Sequence, residues 1–143
     1  MGPAAEQTRG RKVLVVGLGR SGLAAARCLL AAGAHVTATD REPLERLPRE
    51  AQALGGAGVT LHCGGHVAAD FTSADLIVVS PGVPLDLPEL VAARAAGVPA
   101  CSEIDLVAHR IGSRVVAVTG SNGKSTTTAL AAAMLHAAGR EGV

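Results

Sequence analysis

The chain has 143 residues, enough for one ordinary domain of about 100–200 residues and too few for two full ones. Thirteen Lys and Arg against twelve Asp and Glu leave a net charge of +1 with no basic run, and Phe71 is the only aromatic residue. The concentrated positive charge of a non-specific nucleic-acid binder and the stacking platform of a single-strand binder are both missing, so no nucleic-acid partner is expected. A hydrophobic content of 48% and a mean hydropathy of +0.35 argue for a folded chain whose core is built from Val, Leu, Ile and Ala.

The opening stretch MGPAAEQTRGRK has no apolar region of the signal-peptide kind. Nowhere do about 18 apolar residues run together, so no membrane span is expected. KVLVV (12–16) is apolar after its lysine, as a parallel strand buried on both faces should be. SGLAAARCLLAAG (21–33) reads as a helix with Ser21 as N-cap and Gly33 as its stop. HVTAT (35–39) is a second strand running up to Asp40. REPLERLPREAQAL is a poorer helix, interrupted by Pro43 and Pro48. VTLHC (59–63) and DLIVVS (75–80) are the third and fourth strands, residues 87–96 a helix ending at Gly97, and VPAC a short fifth strand. SEIDLVAHRI carries helical periodicity. Alternation of this kind predicts a parallel sheet with right-handed crossovers.

Near Gly112 the pattern restarts. RVVAVT (114–119) reads as a new strand feeding a glycine-rich loop and an alanine-rich helix. The expected organisation is a tail over 1–11, a Rossmann-like α/β domain over 12–112 and a second unit over 113–143. One strand and one helix cannot bury their own apolar faces.

GLGRSG (17–22) fits G-x-G-x-x-G between a strand and a helix, where the first glycine serves the turn, the second a phosphate's approach and the third close packing. Asp40, 18 residues past Gly22, stands where a carboxylate would accept from a ribose hydroxyl. Taken alone this pairing suggests an NAD(P)-binding module of a dehydrogenase or ligand sensor, and a simple packing role for the glycines is the plainer alternative. Further on, TGSNGKST (119–126) ends in the G-K-S of a phosphate loop. There backbone amides and Lys124 would face phosphate oxygens, and Ser125 could ligate Mg²⁺. The strict pattern fails, because Val118 stands at its first glycine position and Gly120 follows two residues later.

That departure is itself a signature. G-S-N-G-K-S-T resembles the ATP loop of the Mur ligase and folylpolyglutamate synthetase superfamily. GLGRSG, Asp40, SPGVP (80–84) and SEIDL (102–106) ahead of it resemble the glutamate-adding branch of the Mur ligases. Ser102 stands where that family usually has glycine, and Ser121 where it usually has threonine. The resemblance implies a Rossmann-like sheet domain followed by the truncated start of a P-loop ATPase-type central domain. The implied enzyme is a cytoplasmic, monomeric ATP-dependent ligase of peptidoglycan synthesis, and so of cell shape and division. It adds D-glutamate to UDP-N-acetylmuramoyl-L-alanine through an acyl phosphate.

Carried over by position, Gly19, Arg20 and Ser21 would cradle the uridine diphosphate, Asp40 and Arg41 would meet its uridine end, and Ser80 and Gly82 would line the same cleft. Gly120, Ser121, Asn122, Gly123, Lys124, Ser125 and Thr126 would hold ATP, with Lys124 as the catalytic group on the phosphates and Ser125 or Thr126 near Mg²⁺. The family's later metal ligands lie beyond Val143, so residues 1–143 alone are expected not to turn over.

Other groups read more plainly. His62, Cys63 and His66 fall within five positions but fall short of the about four convergent ligands of a zinc site, and are taken as a strand-end turn. Glu103 and Asp105 suit the first turn of a helix. His109 and His136 read as helical surface residues. Cys28, Cys63 and Cys101 never form a CxxC pair, as expected of reduced thiols.

Overall fold

Five apolar runs form one parallel sheet in the order β3-β2-β1-β4-β5. The computed structural model describes residues 8–108 and 116–140. The strands are β1 (Lys12–Val16), β2 (His35–Asp40), β3 (Thr60–Cys63), β4 (Leu76–Val79) and β5 (Ala100–Ser102). Between them run α1 (Arg20–Ala31), α2 (Arg49–Gly56), α3 (Ala68–Ser73) and α4 (Pro88–Ala95), and α5 (Glu103–Ala108) follows β5. The chain divides into two units, Met1–Gly112 and Ser113–Val143.

Strand alternation gives the sheet two buried faces. Val13, Val15, Val36, Ala38 and Val78 pack with Leu23, Ala26 and Leu29 of α1, Leu54 of α2 and Leu106 of α5. On the other face Leu14, Val16, Ile77 and Val79 pack with Phe71 of α3 and with Leu90 and Ala93 of α4. Both faces are covered, which is why the central strands read as unbroken apolar runs.

Several local expectations shift. The N-cap of α1 is Gly19 rather than Ser21, because Leu23 N already donates to the Gly19 carbonyl at 2.9 Å and so closes the first turn earlier. Pro43 and Pro48 confine the poor helical stretch to a 3-10 turn (Leu44–Arg46) and the short α2, whose N-cap is Pro48. Helix α3 carries no sequence expectation, because six residues are too few for a periodic signal.

The second unit contains α6 (Lys124–Ala137), preceded by Gly123 at φ 77°. The strand expected over 114–119 is not formed at residues 116–119, which have no ladder partner among the described residues and leave Val116 81% exposed. An apolar run becomes a strand only when a neighbouring strand accepts its hydrogen bonds. Residues 114 and 115, and His109, lie outside the described residues.

Candidate functional site

Register brings three separated motifs into one row. Val16 pairs with Thr39 on one side and Val79 on the other, so Gly17, Asp40 and Ser80 follow side by side at the carboxyl ends of β1, β2 and β4. Between β1 and β4 the strand order reverses, the crevice where open α/β sheets bind ligands. A cavity of about 590 Å³ opens there, lined among others by Gly17 to Ser21, Asp40 to Glu42 and Ser80 to Pro84.

The row is cross-braced. Both Asp40 oxygens accept from backbone, Oδ2 from Leu18 N at 2.7 Å and Oδ1 from Glu42 N at 2.9 Å. Ser80, only 6% exposed, donates its hydroxyl proton to the Gly17 carbonyl at 2.9 Å. Gly17 N donates to the Thr39 carbonyl at 2.8 Å. Gly17 has φ 89°, and a Cβ there would stand 2.9 Å from Val83 Cγ2, so a side chain is refused by conformation and by space. Gly22 is tighter still, since its Cβ would lie 1.8 Å from the Gly17 carbonyl oxygen. Gly19 is the opposite case, with nothing within 4 Å of a Cβ. At that open position α1 begins, and its first-turn amides have no acceptor within the helix.

The family of the Mur ligase MurD-like N-terminal domain matches residues 11–102. The chain belongs to the MurD-like Mur ligases. The UDP-N-acetylmuramoylalanine–D-glutamate ligase of Acidobacterium capsulatum is 50% identical over 132 residues, which are 92% of this chain and 29% of that protein. The enzyme of the same name from Anaeromyxobacter dehalogenans is 52% identical over 139 residues, again 92% of this chain and 29% of its own length. Among solved structures, the murein peptide ligase of Psychrobacter arcticus superposes with a TM-score of 0.63 at 28% identity, covering 91% of this chain and 27% of that one. The chain therefore spans about 29% of the length of the curated relatives it matches.

In this MurD-like domain Gly19, Arg20, Ser21, Asp40, Arg41, Ser80 and Gly82 all line the one cavity. Gly19, Arg20, Arg41 and Gly82 are exposed, Ser21 and Asp40 half-buried. Sequence reasoning did not place Leu47, Pro48 or His66 in this wall, and each is there. The only signal for His66 was its position just past a strand's carboxyl end. It accepts or donates at Nδ1 with Thr39 Oγ1 (2.9 Å), while His62 Nδ1 meets Asp70 Oδ2 at 2.5 Å. Those pairings account for two of the three groups that resembled a metal cluster. Cys63 pairs in register with Asp40, and burial first, then the Asp40 carboxylate, pushes its thiol above the ordinary range.

A second cavity of about 510 Å³ lies beyond the Ser80–Val83 turn, against β5 and α5. There Ser102 and Asp105 cap α5 reciprocally: Ser102 N donates to Asp105 Oδ2 at 3.0 Å and Asp105 N to Ser102 Oγ at 3.2 Å. Glu103 and Asp105 sit in the first turn of this helix.

In the second unit residues 120–123 form an exposed loop and residues 124–126, also exposed, open α6. Lys124 Nζ donates to the Gly120 carbonyl, and Thr127 N closes the first turn on the Gly123 carbonyl at 2.9 Å. Left-handed Gly123, free first-turn amides and an ammonium together suit a polyphosphate. Among the described residues no group of three or more His, Cys, Asp or Glu could hold a metal ion. No helix among the described residues is long and apolar enough to cross a membrane.

Proposed function

We propose that this chain is the nucleotide-sugar-binding front of the ligase that joins D-glutamate to UDP-N-acetylmuramoyl-L-alanine in peptidoglycan synthesis. The observation that carries the reading is the braced row Asp40–Gly17–Ser80 opening on a cavity of about 590 Å³ at the reversal of strand order. Two relatives at 50% and 52% identity bear that ligase's name.

The open Gly19 and the first-turn amides of α1 would receive the diphosphate, with Arg20 adding charge. Asp40 and Arg41, together with the apolar Leu47 and Pro48, would meet the nucleoside. Ser80 would act by holding Gly17, since its proton is already committed, and Gly82 would line the opposite wall. Gly120 to Thr126 would hold ATP, which supplies the phosphoryl group that activates the substrate carboxylate for attack by the amine of D-glutamate. Lys124 would neutralise phosphate charge in that step. Ser125 or Thr126 would supply one oxygen ligand to Mg²⁺ there, with further oxygens than these residues offer needed to complete its shell. Residues 113–143 as the start of the ATP domain, a monomeric full-length enzyme and a cytoplasmic setting belong to the same proposal.

Titration of the chain with UDP, UDP-N-acetylmuramoyl-L-alanine and NAD, followed by calorimetry or NMR, tests it. Binding of the two uridine ligands in preference to NAD is expected. Tight NAD binding with no response to UDP would overturn it.

A further inference from the structure

We infer that His66 is a specificity-determining residue of this cavity, held in one tautomer so that its Nε2 accepts a hydrogen bond from the nucleoside of the bound ligand. The inference rests on the uridine-nucleotide reading above and adds to it a residue, an atom and a polarity.

The argument begins at Thr39. Its side chain is fully buried (0% exposed) at the end of β2, so its hydroxyl must find its partners within the protein. Two are in reach: the Gly65 carbonyl at 3.3 Å and His66 Nδ1 at 2.9 Å. A carbonyl can only accept, and a hydroxyl has one proton to give. Donation from Thr39 to Gly65 therefore leaves a Thr39 lone pair for His66, which must present Nδ1–H. The reverse assignment would spend the proton on His66 and set two acceptor oxygens against each other. The relay runs His66 Nδ1–H to Thr39 O–H to Gly65 C=O, and neutral His66 keeps its lone pair on Nε2.

That nitrogen has no hydrogen-bond partner among the described residues, and His66 lines the cavity. The ring is also held edge-on against Phe71, with centroids 5.8 Å apart and planes at 81°. Phe71 is itself fully buried beneath the sheet, so the imidazole is fixed from below as well as at Nδ1.

Polarity then assigns the recognised group. The phosphate end of the cavity offers donors: the first-turn amides of α1 and Arg20. Near His66 each Asp40 oxygen accepts one main-chain amide and keeps a single lone pair for a ligand, and Glu42 faces Arg41 and Arg46 in surface ion pairs of 3.9 and 3.8 Å. An uncharged acceptor beside Leu47 and Pro48 suits a donor of the nucleoside, either the imide N–H of uracil or a ribose hydroxyl. Cytosine, which has a lone pair where uracil carries that N–H, would be disfavoured in the first case.

The test uses the full chain with three ligands: UDP, its N3-methyl derivative and its 2′-deoxy derivative. His66→Phe keeps the ring and its contact with Phe71 and removes Nε2. It should weaken UDP about two- to tenfold, the range of one neutral hydrogen bond. In the parent chain, one analogue should bind correspondingly weaker than UDP, and in His66→Phe that analogue and UDP should bind alike. The N3-methyl analogue behaving so assigns the base N–H, the 2′-deoxy analogue the ribose. His66→Gln, whose amide oxygen reaches about as far as Nε2, should recover part of the loss. Nitrogen NMR of the ligand-free chain should show His66 with its proton on Nδ1, and Thr39→Val should release it toward the Nε2–H form ordinary for a solvated imidazole. UDP affinity indifferent to His66→Phe, or an Nε2–H tautomer in the parent chain, would overturn this role alone. No binding of UDP to the parent chain would overturn the functional reading and this role with it.

Discussion

Adding one methyl group at Gly22 and one at Gly19 should separate stability from binding within a single six-residue loop. At Gly22 the new Cβ would stand 1.8 Å from the Gly17 carbonyl oxygen, 2.6 Å from Ser80 Oγ and 2.9 Å from the Gly17 carbonyl carbon. Two of these atoms are backbone, so α1 must move off β1. Overpacking costs about 1–3 kcal/mol. Loss of the Ser80–Gly17 hydrogen bond adds about 1 kcal/mol, and the better helix propensity of alanine returns about the same. A net loss of about 2 kcal/mol should lower the melting temperature of a domain this size by about 8–16 °C. Gly19→Ala meets no atom within 4 Å and keeps a φ of −67° that alanine adopts freely, so it should cost no more than about 1 kcal/mol. Its methyl instead occupies the approach to the free amides of α1 and should weaken UDP about 10- to 100-fold, the worth of a charged hydrogen bond or two. Thermal denaturation and UDP titration of both variants decide it. A Gly22→Ala chain melting within about 2 °C of the parent, or a Gly19→Ala chain as destabilised as Gly22→Ala, would refute the assignment of the two glycines.

Asp40→Ala should both weaken UDP and destabilise by about 1–3 kcal/mol, because the Leu18 and Glu42 amides lose their acceptor; chemical denaturation alongside UDP titration separates the two effects. Ser102→Ala should cost about 1 kcal/mol by denaturant unfolding, and Ser102→Gly only a few tenths more than the parent, since the reciprocal cap of α5 is lost but glycine tolerates the position. The Cys63 and Cys101 thiols are both raised, chiefly by burial and then by Asp40 and Asp105 respectively. Mass spectrometry of alkylation against pH should show both reacting only above the ordinary thiol range. The folded state holds these protons more tightly than the unfolded one. Their contribution to stability is therefore present below the unfolded thiol value and lost as pH rises through the folded one. Lys124→Ala should reduce ATP affinity and leave UDP affinity unchanged, which parallel titrations would show.

The sheet was legible because its central strands are buried on both faces and read as continuous apolar runs. The cavity was legible because three of its walls sit on punctuated turns, GLGRSG, the end of HVTATD and SPGVP. Sequence could not show that Asp40 holds a main-chain amide with each oxygen, since Leu18 lies 22 residues away and the bond exists only once β1 and β2 pair. His66 was visible as a residue but not as part of the wall, because its placement depends on Thr39 and on Phe71 of a helix too short to announce itself. Residues 116–119 show the opposite failure, where the pattern of a buried strand is present without a neighbour among the described residues to pair with.

The hydrogen bond from Ser80 to Gly17 joins residues 63 positions apart, and the walls it ties together come from the two sides of the strand reversal. A chain emerging from the ribosome can pair β1 with β2 and then β3 early, all through neighbouring segments. It owns no crevice until β4 returns across the sheet to lie against β1. Pocket formation is thus the long-range closure of this fold, the step on which loop entropy weighs most. Any lesion that slows the return of β4 should leave a chain with ordered strands and no place for a nucleotide.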